Sequence, residues 1–98
     1  MAKKGYLVSA YRSIKDPDKL AAYAKLAGPA FAKYGAKYLV RGDAAQAYEA
    51  GIKQRIVIVE FDSVATAVKA HDSPEYQAAL KVFDHCAERD LRIVEGLE

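Results

Sequence analysis

The charged side chains best placed to do chemistry are Glu60 and Arg41. Glu60 closes the alternation Ile56, Ile58, Glu60 along an apolar strand, and Arg41 ends the strand before it. A carboxylate at the end of an apolar face needs a donor, so the two are expected to touch. They would act either as an ion pair that fixes the two strands or as a base with its orienting partner. His71 and His85 are the two histidines, and neither sits in a spacing such as HxxxH that puts two ligands on one helical face, so no metal site is expected. His71 ends a short helix beside Asp72 and is the better acid–base candidate, which makes Glu60 and His71 the candidate catalytic residues. Tyr6, Tyr11, Tyr38 and Tyr76 carry hydroxyls that could lean over an apolar pocket and meet a phenolic or enolic ligand, although most tyrosines of a small domain belong to its core. Cys86, three and seven positions from Phe83 and Ala79, falls on a helical apolar stripe and reads as a small buried hydrophobe. Gly42 and Gly51 follow no phosphate-loop pattern, and no cofactor is expected.

The elements that must position these residues are legible in the pattern. Tyr6 to Arg12, with Leu7, Val8 and Tyr11, has the branched and aromatic types of a strand. Asp16-Pro17-Asp18 is a helix start, because the Asp side chain accepts the free N–H groups of the first turn and Pro is preorganised there. Leu20, Tyr23, Ala27, Phe31 and Tyr34 recur at helical steps, giving a helix from Pro17 to Tyr34 that is expected to kink or break at Gly28-Pro29. Lys37 to Arg41 is the second strand, with pairing able to resume through Tyr48 after a bend at Gly42-Asp43. A hairpin turn near Gly51 and Ile52 leads into the third strand, Arg55 to Phe61. Ser63 caps a short helix through Ala70, and Ser73-Pro74-Glu75 starts a longer one with the stripe Tyr76, Leu80, Phe83, Ala87. Leu91 to Glu95 is the fourth strand, stopped at Gly96. The order β-α-β-β-α-α-β with right-handed crossovers gives an α+β, ferredoxin-like split βαβ with a four-stranded antiparallel sheet, strands one and three in the middle.

Ninety-eight residues make a single domain, 1–98. With 52% hydrophobic and 29% charged residues the composition is that of a folded globular chain. Fifteen basic against thirteen acidic residues leave +2, and Arg41, Arg55, Arg89 and Arg92 are scattered among neutral or acidic neighbours, which does not match a nucleic-acid footprint. The longest strong apolar run, Ile56 to Val59, is far short of a bilayer span, and no secretion leader is expected. One cysteine fits a reducing compartment, with the cytoplasm as the default. In Ile56-Val57-Ile58-Val59 two branched side chains point to each face of the sheet, so both faces must be dry. The helices can cover one of them. A second copy is expected to cover the other, making a homodimer joined through the sheets.

The segments Pro29 to Gly42, Ile58-Val59-Glu60-Phe61, Ser73-Pro74-Glu75-Tyr76-Gln77 and Val94-Glu95-Gly96, in that order, resemble the domain of unknown function thirteen-thirty family over Gly5 to Gly96. The resemblance implies the dimeric α+β barrel superfamily, in which two sheets pair into a dimeric α/β barrel and whose other families include small cofactor-free monooxygenases, lactone isomerases and heme-handling enzymes. The polar positions that recur in the family match Arg41, Glu60, Ser73, Glu75 and Tyr76. Two departures stand out: Ala70-His71 replaces an aromatic pair, and Phe83 stands where relatives often carry an arginine that could hold an anion. Three readings share this fold. The first is a cofactor-independent enzyme of monooxygenase or isomerase type, with Glu60 or His71 as base and Arg41, Tyr76, Ser73 and Tyr11 binding a small organic substrate. The second is a ligand-binding module without chemistry, and the third a structural homodimer.

Overall fold

The computed structural model describes residues 3–98; Met1 and Ala2, at the start of the expected domain and of the segment read for a leader, lie outside the described residues. The elements run β1 (Gly5–Ile14), α1 (Pro17–Ala32), β2 (Lys37–Asp43), β3 (Arg55–Phe61), α2 (Val64–His71), α3 (Pro74–Phe83) and β4 (Ala87–Glu95). All pairings are antiparallel in the order β2-β3-β1-β4, so β1 and β3 are central, as a hairpin flanked by two right-handed crossovers requires. One sheet and one layer of helices make a body whose backbone is only 15 Å deep along its shortest axis.

Alternation assigns the two faces of the sheet. Leu7, Ser9 and Tyr11 of β1 and Val57, Val59 and Phe61 of β3 are buried under the helices. Tyr6, Val8 and Ala10, paired with Glu60, Ile58 and Ile56, lie on the opposite face, which no helix covers. Val40 and Val94 extend that apolar surface and are 40% and 52% exposed. The layers meet most tightly where β1 begins. A Cβ on Gly5 would stand 2.5 Å from the Ser63 carbonyl oxygen, so only glycine admits the chain that enters α2.

Caps fall where the residue types place them. Asp16, Ser63 and Ser73 accept from the backbone N–H groups of Lys19, Thr66 and Tyr76. Three expectations need correction. α1 does not break at Gly28-Pro29: the helix runs on through Pro29 to Ala32, two residues short of Tyr34. α3 ends at Phe83 because Asp84 and His85 turn left-handed (φ 43° and 54°). Ala87 therefore opens β4, and Cys86 is buried in the turn before it rather than on a helix. β2 ends at Asp43 and closes on Arg55, leaving residues 44 to 54 as a long connection instead of a tight turn near Gly51; Tyr48 is 77% exposed there and joins no strand.

Candidate functional site

That connection also settles where Arg41 points. Arg41 pairs with Val57, and Lys37 pairs with Glu60. A β-bulge between Tyr38 and Val40 inserts one residue into β2. Tyr38 and Arg41, three positions apart, consequently face the same side, the side under the helices. Glu60 is on the other side and accepts a hydrogen bond from the Tyr6 hydroxyl at 3.3 Å. The expected Arg41–Glu60 contact does not form; the register separates the two across the thickness of the sheet.

The space that Arg41 enters is a narrow pocket between α1 and the sheet, with a cavity of about 40 Å³ behind an open mouth. Its apolar walls are Leu7, Val57 and Val59 from the strands and Leu20, Ala27 and Phe31 from α1, with Ala24 exposed at the rim. Three arginines, one from each of β2, β3 and β4, line it: Arg41, Arg55 and Arg89. Arg55 is in phase with Val57 and Val59, and Arg89 pairs with Tyr11 and is in phase with Leu91 and Ile93. Residues scattered along the chain thus converge in space, with no acidic residue among those lining the pocket.

Arg89 is held by phenols. One of its terminal nitrogens donates to the Tyr11 hydroxyl at 3.1 Å and to the Tyr23 hydroxyl at 3.3 Å, and the other donates to the Tyr76 hydroxyl at 3.3 Å. Tyr23 and Tyr76 hydroxyls stand 2.6 Å apart and share a further hydrogen bond. The guanidinium also lies 4.2 Å from the centre of the Phe83 ring, so positive charge occupies this corner although position 83 itself is apolar. Arg55 leans toward the Tyr11 ring at 6.0 Å and Arg41 over the Tyr38 ring at 5.1 Å. Burial pushes the Tyr23 phenol well above the ordinary tyrosine value, reinforced by Tyr76 and opposed by Arg89. Burial raises Tyr38 in the same way, against the pull of Arg41. These phenols are hydrogen-bonding groups and stay protonated at neutral pH.

The residues singled out in the sequence divide. Tyr11 and Arg41 line the pocket, and Tyr76 lies behind it, its hydroxyl meeting the side chains of the lining residues Tyr23 and Arg89. Ser73 caps α3, donating to the Ala70 carbonyl at 2.7 Å and accepting from the Tyr76 N–H, and does not line the pocket. Glu75 pairs with Lys33 at the surface, 3.0 Å apart. His71 stands outside the lining, with Nδ1 2.9 Å from Asp72. Glu60 and His71 are therefore not brought together, and neither faces the arginines. Among the described residues no group of three His, Cys, Asp or Glu side chains could hold a metal ion, and no helix is long and apolar enough to cross a membrane. Burial pushes the Cys86 thiol up. Arg55, Arg89, Tyr23 and Ser9 line the same pocket without having been singled out in the sequence; for the arginines, the signal was a charged residue in phase with the buried positions of its strand.

A family model described as "Domain of unknown function (DUF1330)" matches residues 4–97. The chain belongs to this family. None of the curated proteins matches it. Among solved structures, RPA0582, a protein of unknown function from Rhodopseudomonas palustris, is 22% identical, with a TM-score of 0.75 over 100% of this chain and 85% of that one. A dimeric ferredoxin-like protein of unknown function from Thermobifida fusca is 14% identical (TM-score 0.66, 98% and 93% covered). SnoaB, a cofactor-independent oxygenase from Streptomyces nogalater, is 9% identical (TM-score 0.67, 99% and 96% covered). At these identities the likeness is one of fold, and the α+β ferredoxin-like architecture of this DUF1330 chain is common to all three.

The raised phenol gives stability a pH dependence with a definite sign. A folded value above the unfolded one contributes fully below the unfolded value, near 10.0 for tyrosine, and is lost as pH rises past it, because the unfolded chain then releases the proton first. Unfolding free energy should fall between about pH 9.5 and 11, and Tyr23→Phe should flatten that fall while costing about 1 kcal/mol at neutral pH. Urea titrations across this range check it; an unchanged slope in the variant would contradict the assignment.

Proposed function

We propose that this protein binds a small organic molecule in the pocket between α1 and the sheet, as a homodimer joined through the uncovered sheet faces. The single observation that carries the first half is the pocket itself: an apolar slot with polar groups converging from every strand, the usual composition of a small-molecule site. Tyr11 and Arg41 are the binding residues among those expected from the sequence, joined by Arg55, Arg89 and Tyr23. Binding is favoured over catalysis because the lining holds no carboxylate, imidazole or thiol to move a proton, and burial holds the Tyr23 and Tyr38 phenols protonated. The oxygenase activity of SnoaB on a similar fold keeps a cofactor-independent reaction as the second reading, in which the pocket would polarise a substrate that reacts on its own account.

Ala24 at the rim allows a test that leaves the core alone. In a screen of small aromatic and aliphatic fragments by ligand-observed NMR, the wild type should show hits that Ala24→Trp loses, with both proteins melting within a few degrees of each other. Hits that persist in a folded Ala24→Trp protein would sink the reading.

The dimer rests on Val8, Ile58, Val40 and Val94 lying on a sheet face that no helix covers, and on the dimeric Thermobifida fusca protein of like fold. Ile58 pairs with Val8 near the middle of that face, so Ile58→Asp would place a carboxylate in the joint. Sedimentation equilibrium at micromolar concentration should find twice the chain mass for the wild type and the single-chain mass for Ile58→Asp. A wild type that sediments as a single chain would exclude the dimer.

A further inference from the structure

We propose that the ligand is an organic carboxylate, its acid group held by Arg55 and Ser9 with Arg41 at the mouth and its apolar or aromatic body in the slot under α1. This rests on the pocket being a small-molecule site and names the chemistry that the site would select. The first ground is uncompensated charge. The ion pairs among the described residues engage Lys4, Lys19, Lys33, His71 and Arg92, and none engages Arg41, Arg55 or Arg89. Asp43, opposite Arg55 in the β2–β3 ladder, is exposed, makes no ion pair with it and does not line the pocket. Arg89 is occupied by its three phenols, whereas the side chains of Arg41 and Arg55 make no hydrogen bond among the described residues.

The second ground is a pair of buried polar atoms that lack partners. The Nε of Arg55 and the Oγ of Ser9 are both shielded from solvent and find no hydrogen-bond partner among the described residues, and Ser9 is 2% exposed. Both residues line this pocket. Buried polar groups are almost always paired, and these two lack a partner on the same wall of the same space.

The third ground is the direction of the protons. Arginine donates and cannot accept. The hydroxyls of Tyr11, Tyr23 and Tyr76 each already accept from Arg89. Between Tyr23 and Tyr76 one proton is shared, and the favourable arrangement has Tyr76 as donor: Tyr76 is fully buried and off the pocket, so its proton has nowhere else to go. The Tyr23 and Tyr11 protons are then left for the pocket. Its polar groups are the arginines, which only donate, and the hydroxyls of Tyr11, Tyr23, Tyr38 and Ser9, each of which can turn a proton toward a ligand. A neutral amide or alcohol would bring protons of its own into this ring, whereas an ionised carboxylate brings only acceptors. Inorganic oxyanions satisfy the donors and leave the apolar walls, Leu7, Leu20, Ala27 and Phe31 among them, without a partner, so the ligand needs a hydrocarbon body.

Calorimetric titration of the full chain with benzoate, phenylacetate and hexanoate, each beside its own amide, tests this. At least one acid should bind about 10-fold or more tighter than its amide, the factor expected of hydrogen bonds to charged groups. Arg55→Met should remove that preference and leave the affinity for the amide within about twofold, with Arg55→Lys restoring part of it. Ser9→Ala, a small change in a packed place, should weaken the acid and spare the amide. Circular dichroism establishes that each variant is folded. Amides that bind as tightly as their acids would overturn the carboxylate and leave the pocket reading standing. Acid preference that survives in both Arg55→Met and Ser9→Ala would overturn the assignment to these groups. A wild type that binds none of the six probes would overturn the proposal, and fragment hits lost in Ala24→Trp would then show whether the pocket reading survives without it.

Discussion

A guanidinium carried beneath a helix cannot shed its proton, so its buried donors call for acceptors brought to that point by the fold or by a ligand. Arg89 imposes this demand on the protein. Its partners come from β1 (Tyr11), α1 (Tyr23) and α3 (Tyr76), and Phe83 of α3 lends the face of its ring. One cation on an edge strand therefore specifies how both long helices sit on the sheet. Charges at the surface, Lys33 on Glu75 and Lys19 on Asp84, tie the same two segments of chain together in a setting where ion pairs contribute little. The buried cluster sets the geometry, and the surface pairs follow it.

Two features of the backbone turn that cluster into a pocket. Right-handed crossovers put all the helices on one face, so inward-facing residues of every strand share a single volume. The bulge in β2 then moves Arg41 to the inward side, where it joins Arg55 and Arg89. The interior next to α1 becomes apolar in its walls and cationic at its end. The uncovered face carries branched side chains and the Tyr6–Glu60 hydrogen bond. One sheet thus carries two different surfaces, one lined by guanidinium groups and phenols under the helices and one of branched side chains that no helix covers.

The fold was largely legible because its signals are local. Asp16-Pro17, Ser63 and Ser73-Pro74 announce helix starts, and Ile56 to Val59 announces a central strand; strand order then follows from chirality. The site was less legible because it depends on register. Ile56, Ile58 and Glu60 lie on the uncovered face of β3, and the face under the helices is Arg55, Val57, Val59, Phe61, a difference of one residue in phase. With a tight turn assumed near Gly51, Arg41 looked like a neighbour of Glu60, and neither the long connection of residues 44 to 54 nor the bulge leaves a mark strong enough to read in one sequence. Arg89 was hidden for a related reason. The left-handed pair Asp84-His85 ends α3 without a glycine, so the start of β4 was read as helix and the phase that points Arg89 inward was lost. Spacing along the chain described the arginines as scattered, and pairing across the sheet gathers them.

The central claim is that the donors in this pocket await an acceptor-only ligand, and the atom that reports on it most directly is the buried, unpartnered Nε of Arg55. Its N–H resonance, assigned by its disappearance in Arg55→Met, should move on titration of ¹⁵N-labelled protein with benzoate and slow its exchange with water as a hydrogen bond to the carboxylate forms. The same titration with benzamide should leave it in place. A resonance indifferent to benzoate while other pocket signals respond would contradict the account.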